Sequence, residues 1–460
     1  MLPSFPYPSL NSFQKRSSIA SERPFSYKNE FNIIFNKNQQ SSNTNINNIN
    51  NPNTHPNDIN YDIISPTSTS FDQSMNQNIN SNNNYNYNNY STLPSSYTSH
   101  YPLYALDWSV SRNQHFAKIA LGSYREDSSN KLEILYGTKN NDNNPEVFNF
   151  NKVYDHSIKY PITRLQWDPS MSLLNTDIER FATTSECLRI YEIGSVDNNN
   201  NNTNDKILYE KAALTNSKSK NLNQLPPMTS FDWNRFNPLH LITCSIDTTC
   251  TVWDLIKETF IAKTQLIAHD SEVFDVKYIY GDINVFTSCS SDGSVRLFDL
   301  RNLEQSTIIY EKSDNNNNSN TSNSLVRIAT SNYNANQIAV LNSNSNQILI
   351  LDLRNVGIPL YNLNNNSANI NSISWHPNKN ILLSGSDDCQ IMTYDFTNQD
   401  TLQNSNDQSQ LQSQSQSPNL NRLPDYAYSA NMEVNNVCWD PDGKWIGLNN
   451  GKQFQALQFE

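Results

Sequence analysis

Cys244-Ser245-Ile246-Asp247-Thr248-Thr249-Cys250-Thr251-Val252-Trp253-Asp254 is one of three stretches that share a single frame. The others are Ser290-Ser291-Asp292-Gly293-Ser294-Val295-Arg296-Leu297-Phe298-Asp299 and Ser386-Asp387-Asp388-Cys389-Gln390-Ile391-Met392-Thr393-Tyr394-Asp395. Each reads Ser-x-Asp-x-x-x-x-x-aromatic-Asp. Degenerate copies end at Leu351-Asp352 and at Tyr191-Glu192. Trp253 to Phe298 is 45 residues, Phe298 to Leu351 is 53, and Leu351 to Tyr394 is 43. A fixed interval of this size marks a chain built from repeated supersecondary units. The interval that overshoots carries the Asn tract Asn315–Asn318, which belongs in a loop.

A second marker runs in phase with the first. Trp ends a short apolar run in Leu106-Asp107-Trp108, Leu165-Gln166-Trp167, Phe231-Asp232-Trp233, Ile373-Ser374-Trp375 and Val437-Cys438-Trp439. Turn formers such as Asp168-Pro169, His376-Pro377 and Asp440-Pro441 follow. Helical periodicity is nearly absent, while Val273-Phe274-Asp275-Val276-Lys277-Tyr278 and Ser294-Val295-Arg296-Leu297 alternate at about period two, as half-buried strands do. A period of 40–45 residues with four short strands each describes the blades of a propeller. The expected fold is therefore an all-β, seven-bladed WD40-type β-propeller. Its blades begin near Tyr104, Ile162, Thr229, Val273, Val326, Ile370 and Val434. The last blade lacks an outer strand, and the chain near Ser96–Tyr101 is the expected donor that shuts the ring.

Composition divides the chain. Hydrophobic residues make up only 36%, and the shortfall is concentrated in Asn, Ser and Gln tracts. Residues 1–95 read as a disordered Asn/Ser-rich N-terminal tail, since such a stretch cannot bury enough apolar surface to offset the entropy of ordering it. Residues 96–460 form the propeller, with low-complexity loop inserts near 138–150, 195–225, 312–324 and 398–422. Only 10 Gly are present, and Asn stands at many loop positions instead. A net charge of −12 argues against general binding to nucleic acid or anionic membrane. No run of 18 apolar residues exists, and the start lacks the apolar core of a signal peptide, so a reducing compartment is expected. The six cysteines fit that expectation. None forms C-x-x-C or joins a His pair at zinc spacing, so no metal site is expected.

The frame's Asp stands between two strands, where a carboxylate can accept turn N–H groups. In WD-repeat propellers, which the frame resembles, that Asp orients a His from the preceding loop. The His in turn bonds a Ser on the second strand and a Trp on the third. The resemblance implies a structural network drawn from His269, Ser245, Ser290, Ser386, Asp247, Asp292, Asp388 and Trp253. In the fourth blade the His269 partner is Ser288 or Ser290, and Phe298, with no donor, replaces the Trp. The third blade has Trp253 and Asp247 without an obvious His. A Ser/His/Asp set also suggests a hydrolase, but no G-x-S-x-G elbow exposes a nucleophile, and the trio recurs, wholly or in part, blade after blade. Nor is there a Gly-rich phosphate loop. Neither a catalytic residue nor a cofactor is expected.

A narrower resemblance covers most of residues 100–460. It is carried by Tyr104-Ala105-Leu106-Asp107-Trp108, Pro227-Met228-Thr229-Ser230-Phe231-Asp232-Trp233-Asn234, Lys263-Thr264-Gln265-Leu266-Ile267-Ala268-His269-Asp270 and Asp292-Gly293-Ser294-Val295-Arg296-Leu297-Phe298-Asp299-Leu300-Arg301. These blocks are similar to the anthocyanin-regulator / transparent-testa-glabra group of WD-repeat proteins, whose animal members are cullin-4-associated factors. The resemblance implies a monomeric scaffold of cytoplasm and nucleus. It would hold a dual-specificity tyrosine-regulated-type protein kinase and transcription regulators. The alternative it implies is a substrate receptor of a cullin-type ubiquitin ligase. The residues tied to adaptor docking would be Arg301 and Arg354, although Phe298 and Leu351 stand where the family has Trp. The loop Ala268–Glu272 and the turn Asp247-Thr248-Thr249 are the expected binding face. Lys15-Arg16-Ser17-Ser18-Ile19 resembles a basophilic kinase site, with Ser18 as the candidate phosphosite.

Overall fold

The computed structural model describes residues 95–459 apart from 111–115, 140–146, 173–178, 196–205, 216–224, 257–258, 313–323 and 398–421. The expected tail (but for Ser95), Ser18 within it, and most of the four expected inserts apart from residues 206–215 lie outside the described residues.

The described strands form seven four-stranded antiparallel sheets. Their first strands are Leu103–Trp108, Arg164–Trp167, Met228–Trp233, Val273–Tyr278, Leu325–Thr330, Ile370–Trp375 and Val434–Trp439. Each lies within two residues of the position expected for it. These seven strands touch one another in a closed circuit, so they line the axis of a ring. Six blades take their strands in chain order from the axis outward. The seventh borrows Ser95–Thr98, which pairs with Gln453–Gln458 in the register Ser95↔Ala456, Tyr97↔Phe454. The closing strand thus begins one residue before the expected segment and ends three before it.

The core is divided into seven hydrophobic clusters, each in the cleft between neighbouring blades. This arrangement corrects the expectation of half-buried alternation. All six residues of Val273–Tyr278 and of Val285–Ser290 are buried, because the two inner strands of a blade are covered by a neighbour on both faces. The apparent alternation reflected the polar Asp275 and Lys277, whose side chains are satisfied within the ring. Outermost strands such as Asn302–Glu311 are the exposed ones. The expected insert at 195–225 also needs correction. Lys206–Leu214 within it is a strand, paired with Leu188–Ser195. The Asn tract before it masked a short sequence whose Tyr209, Ala212 and Leu214 face the blade.

The Trp marker has a mechanical cause. Trp167 Nε1 donates to the Asp107 carbonyl of the preceding blade (3.3 Å), Trp375 Nε1 to the Ala329 carbonyl (3.1 Å) and Trp439 Nε1 to the Ser374 carbonyl (3.2 Å). The neighbouring position stitches the same seam. The Asp107 carboxylate accepts Trp167 N–H, Gln166 accepts Trp233 N–H and Asp232 accepts Tyr278 N–H, at 2.8, 3.0 and 3.0 Å. A large indole fills this cleft position in five of the seven blades, and in three of them it donates across the seam.

Because neighbouring strands are antiparallel, first-to-second and third-to-fourth turns open on one face of the ring. Second-to-third turns and the crossovers between blades open on the other. This division separates the two candidate surfaces.

Candidate functional site

On the crossover face, the fourth blade assembles the expected network around a buried imidazole. His269 lies 3.0 Å from Asp292 Oδ2 through Nδ1 and 2.7 Å from Ser288 Oγ through Nε2. Its Nδ1 is also 3.1 Å from Ser294 Oγ. With Asp292 an obligate acceptor, His269 Nδ1 donates to it, while Nε2 meets the Ser288 hydroxyl. Of the two serines left open by the sequence, Ser288 is the His partner. Ser290 instead accepts the Asp292 N–H (3.1 Å). Asp292 also accepts Ser294 N–H and Oγ–H at 2.9 and 2.7 Å, so one carboxylate holds a turn and a loop together. Arg296, which the sequence did not single out, finishes the brace: it donates to the Asp270 carboxylate (2.7 Å) and the Ala268 carbonyl (3.2 Å).

The other blades keep fragments of this design. In the third, Trp253 Nε1 donates to Thr243 Oγ1 (2.9 Å), while Asp247 serves only Thr249, through its N–H (3.1 Å) and hydroxyl (2.6 Å). Ser245 donates to the Pro227 carbonyl (3.0 Å). In the sixth, Ser386 donates to Asp388, and the missing histidine is replaced by Asn366. Its amide donates to Ser386 Oγ (2.8 Å) and to Asp388 Oδ2 (3.3 Å). Asn366 precedes Asp388 by 22 residues as His269 precedes Asp292 by 23, which was the available signal. The residue after each Asp takes a left-handed conformation: φ is +69° at Thr248, +79° at Gly293 and +62° at Cys389. Only the glycine does so without strain.

Burial by itself would raise the Asp292 carboxyl. The hydrogen bonds from His269 and Ser294 outweigh that and hold it well below the ordinary 3.8. A carboxyl depressed by folding adds stability that is present above pH 3.8 and is lost as pH falls toward its folded value. Asp292→Asn is therefore expected to flatten the fall in melting temperature below pH ~4, while lowering stability by about 2 kcal/mol at neutral pH. Thermal unfolding from pH 3 to 7 checks this, and an acid limb identical to that of the parent chain would refute the role given to Asp292.

The opposite face carries a different chemistry. Phe236 and Leu239 in the third blade, Tyr280 and Ile283 in the fourth and Tyr333 in the fifth stand in first-to-second turns, each 37–52% exposed. Phe236 and Tyr280 meet edge to face at 4.9 Å, and Asn234 donates to the Ile283 carbonyl (3.3 Å), tying the two turns together. Arg301 and Arg354 stand in third-to-fourth turns on this same face. Each forks onto the Asp two positions before it, Asp299 (2.8 and 2.5 Å) and Asp352 (2.9 and 2.6 Å). Their side chains remain 56% and 59% exposed. Leu300 N–H donates to the Asn284 carbonyl (2.9 Å), which sets Arg301 beside Ile283. The arginines were legible in the sequence, whereas the apolar turn residues were not.

All six cysteines are free thiols, five of them buried, and burial pushes the Cys244 thiol up to about 12. Such groups pack as small apolar side chains. Among the described residues, no cluster of three or more His, Cys, Asp or Glu is placed to hold a metal, and no helix is long and apolar enough to cross a membrane.

A seven-bladed ring of WD repeats, whose one complete Ser/His/Asp set braces a turn, is a binding scaffold and not an enzyme. The chain belongs to the WD40-repeat proteins: the family model of the WD domain, G-beta repeat, matches residues 261–299 and 357–395. Among its relatives, a WD repeat-containing protein of Saccharomyces cerevisiae is 34% identical over 419 residues, covering 79% of this chain and 76% of the relative. A DDB1- and CUL4-associated factor 7 homolog of Dictyostelium discoideum is 34% identical over 367 residues, covering 79% of this chain and 98% of the relative. An uncharacterized WD repeat-containing protein of Schizosaccharomyces pombe is 32% identical over 315 residues, covering 66% and 69%.

Proposed function

We propose that this propeller docks a protein kinase of the dual-specificity tyrosine-regulated type and brings it to transcription regulators, in both cytoplasm and nucleus. The observation that carries the reading is the exposed strip Phe236, Leu239, Tyr280, Ile283 and Tyr333. Apolar and aromatic side chains gathered on rigid turns, with arginine at their margin, have the composition of a protein-binding hot spot. The crossover face suits this role less: His269 and Asp292 are engaged in bracing its turns. The resemblance to the anthocyanin-regulator group supplies the kind of partner.

A second reading makes the chain a docking subunit for a cullin-4 ligase adaptor. The name of the Dictyostelium relative favours it. So do Arg301 and Arg354, held at fixed angles by their own aspartates on the strip's face.

Affinity purification from cells followed by mass spectrometry separates the two readings, using the full chain, residues 95–460, Phe236→Asp/Tyr280→Asp and Arg301→Ala/Arg354→Ala. The Asp pair is expected to lose the kinase at least tenfold, as removal of a hot-spot pair does. The Ala pair is expected to lose the adaptor and keep the kinase. Equal kinase recovery with all four proteins would sink the first reading.

A further inference from the structure

The crossover face of blade one gathers tyrosines that neither the braced network nor the docking strip uses. Three segments meet there: the link 99–102 from the closing strand, the second-to-third turn 124–129 of blade one, and the crossover 159–163 into blade two. Backbone hydrogen bonds fix them side by side. Tyr124 N–H donates to the Pro102 carbonyl (3.0 Å), and Ile162 N–H donates to the Ser123 carbonyl (3.3 Å). Tyr101, Tyr104, Tyr124 and Tyr160 are thereby collected on one corner, each partly exposed. Tyr104 and Tyr124 meet edge to face at 5.6 Å. An arginine closes the row at either end. Arg125 lies 6.0 Å from the Tyr101 ring centroid, and Arg327 of blade five, which donates to the Tyr104 hydroxyl, lies 5.9 Å from the Tyr104 centroid.

The charge on these three segments cancels: Arg125 and Lys159 stand against Glu126 and Asp127. Arg125 is already paired with Asp127 (2.6 Å), and Lys159 lies over the Tyr160 ring at 4.9 Å. A polyanion is disfavoured by such a surface and by the net charge of −12 on the whole chain. Rings held on rigid turns without net charge suit an uncharged, extended apolar segment instead. A polyproline II helix packs its prolines against aromatic rings and arrives already ordered. Its carbonyls have no internal hydrogen bonds, so tyrosine hydroxyls and guanidinium groups can donate to them.

We propose that the tyrosine corner Tyr101, Tyr104, Tyr124 and Tyr160 docks a proline-rich partner segment in the polyproline II conformation. This surface is independent of the docking strip, which opens on the opposite face of the ring. Fluorescence anisotropy of labelled decaproline, titrated with the full chain, tests it. Saturable binding is expected, weakened about tenfold or more by Tyr101→Ala/Tyr124→Ala, as loss of a pair of aromatic anchors does. Tyr280→Asp on the strip should leave it unchanged, and a labelled decapeptide of alternating glycine and serine should not bind. Should the double variant fail to fold, Tyr101→Ala alone, which lies outside every strand, must still weaken binding. Absence of saturable decaproline binding at millimolar concentration, or equal binding by the folded tyrosine variants, overturns the proposal. So does binding of a labelled thymidine decanucleotide in place of decaproline, which would make the corner a nucleic-acid platform.

Discussion

Replacing Trp233 by alanine is expected to lower the melting temperature of the propeller by about 10 °C, from a loss of about 3–5 kcal/mol at about 2–4 °C for each kcal/mol. Trp233 is fully buried in the cleft between blades two and three, against Ala182, Ile190, Met228, Leu241 and Trp253. It also forms two polar links: its N–H donates to Gln166 of the preceding blade (3.0 Å) and its indole to the Pro238 carbonyl (2.7 Å). Alanine keeps the first and loses the second, along with nearly all of the side-chain volume. Trp233→Phe separates these effects, since it retains most of the packing and should cost only about 1–2 kcal/mol. The fourth blade provides the converse case. Tyr278 occupies the same place, and its buried hydroxyl has no hydrogen-bond partner among the described residues, so Tyr278→Phe is expected to be neutral or slightly stabilising. Thermal unfolding followed by circular dichroism reads all three. A Trp233→Ala protein that melts within 3 °C of its parent would show that the inter-blade clefts do not carry the stability assigned to them here.

Much of this architecture could be read from the chain because a propeller repeats its constraints. The turn needs a carboxylate at Asp247, Asp292 and Asp388, and the cleft needs an indole at Trp108, Trp167, Trp233, Trp375 and Trp439, so both recur at blade spacing. What recurs less faithfully was harder to see. Asn366 does the work of a histidine with a different side chain, and the Lys206–Leu214 strand is hidden behind an Asn tract. The exposed apolar turns have no period at all: Phe236, Tyr280 and Tyr333 sit in turns of three separate blades, and Phe236 meets Tyr280 only once those blades pack side by side. Alternation misled at Asp275 and Lys277 because period two was taken for a water-facing side. In a strand covered on both faces, polar residues mark contacts within the ring instead.

The ring should depend on four residues far in sequence from the strand they pair with. Removing Ser95–Thr98, so that the chain begins at Ser99, is expected to cost about 3 kcal/mol, from the burial of Tyr97 and the lost ladder to Gln453–Gln458. It also leaves the last strand as an open edge, which invites pairing with other chains. The seam they cover is rich in aromatic side chains. Phe148 meets Trp445 at 4.7 Å, Phe150 meets Phe454 at 5.1 Å, and Ser95 Oγ accepts the Phe148 N–H (2.7 Å), tying blade seven to blade one. Loss of the strand uncovers these rings on one side, so the damage should appear as self-association as well as a lower melting temperature. A chain beginning at Ser95 is the matched comparison, since it lacks the preceding segment and keeps the whole ladder. Size-exclusion chromatography with light scattering is expected to give a monomer from Ser95 and oligomers from Ser99. Two monomers with the same melting temperature would mean that the other six inter-blade clefts hold the ring shut without the borrowed strand.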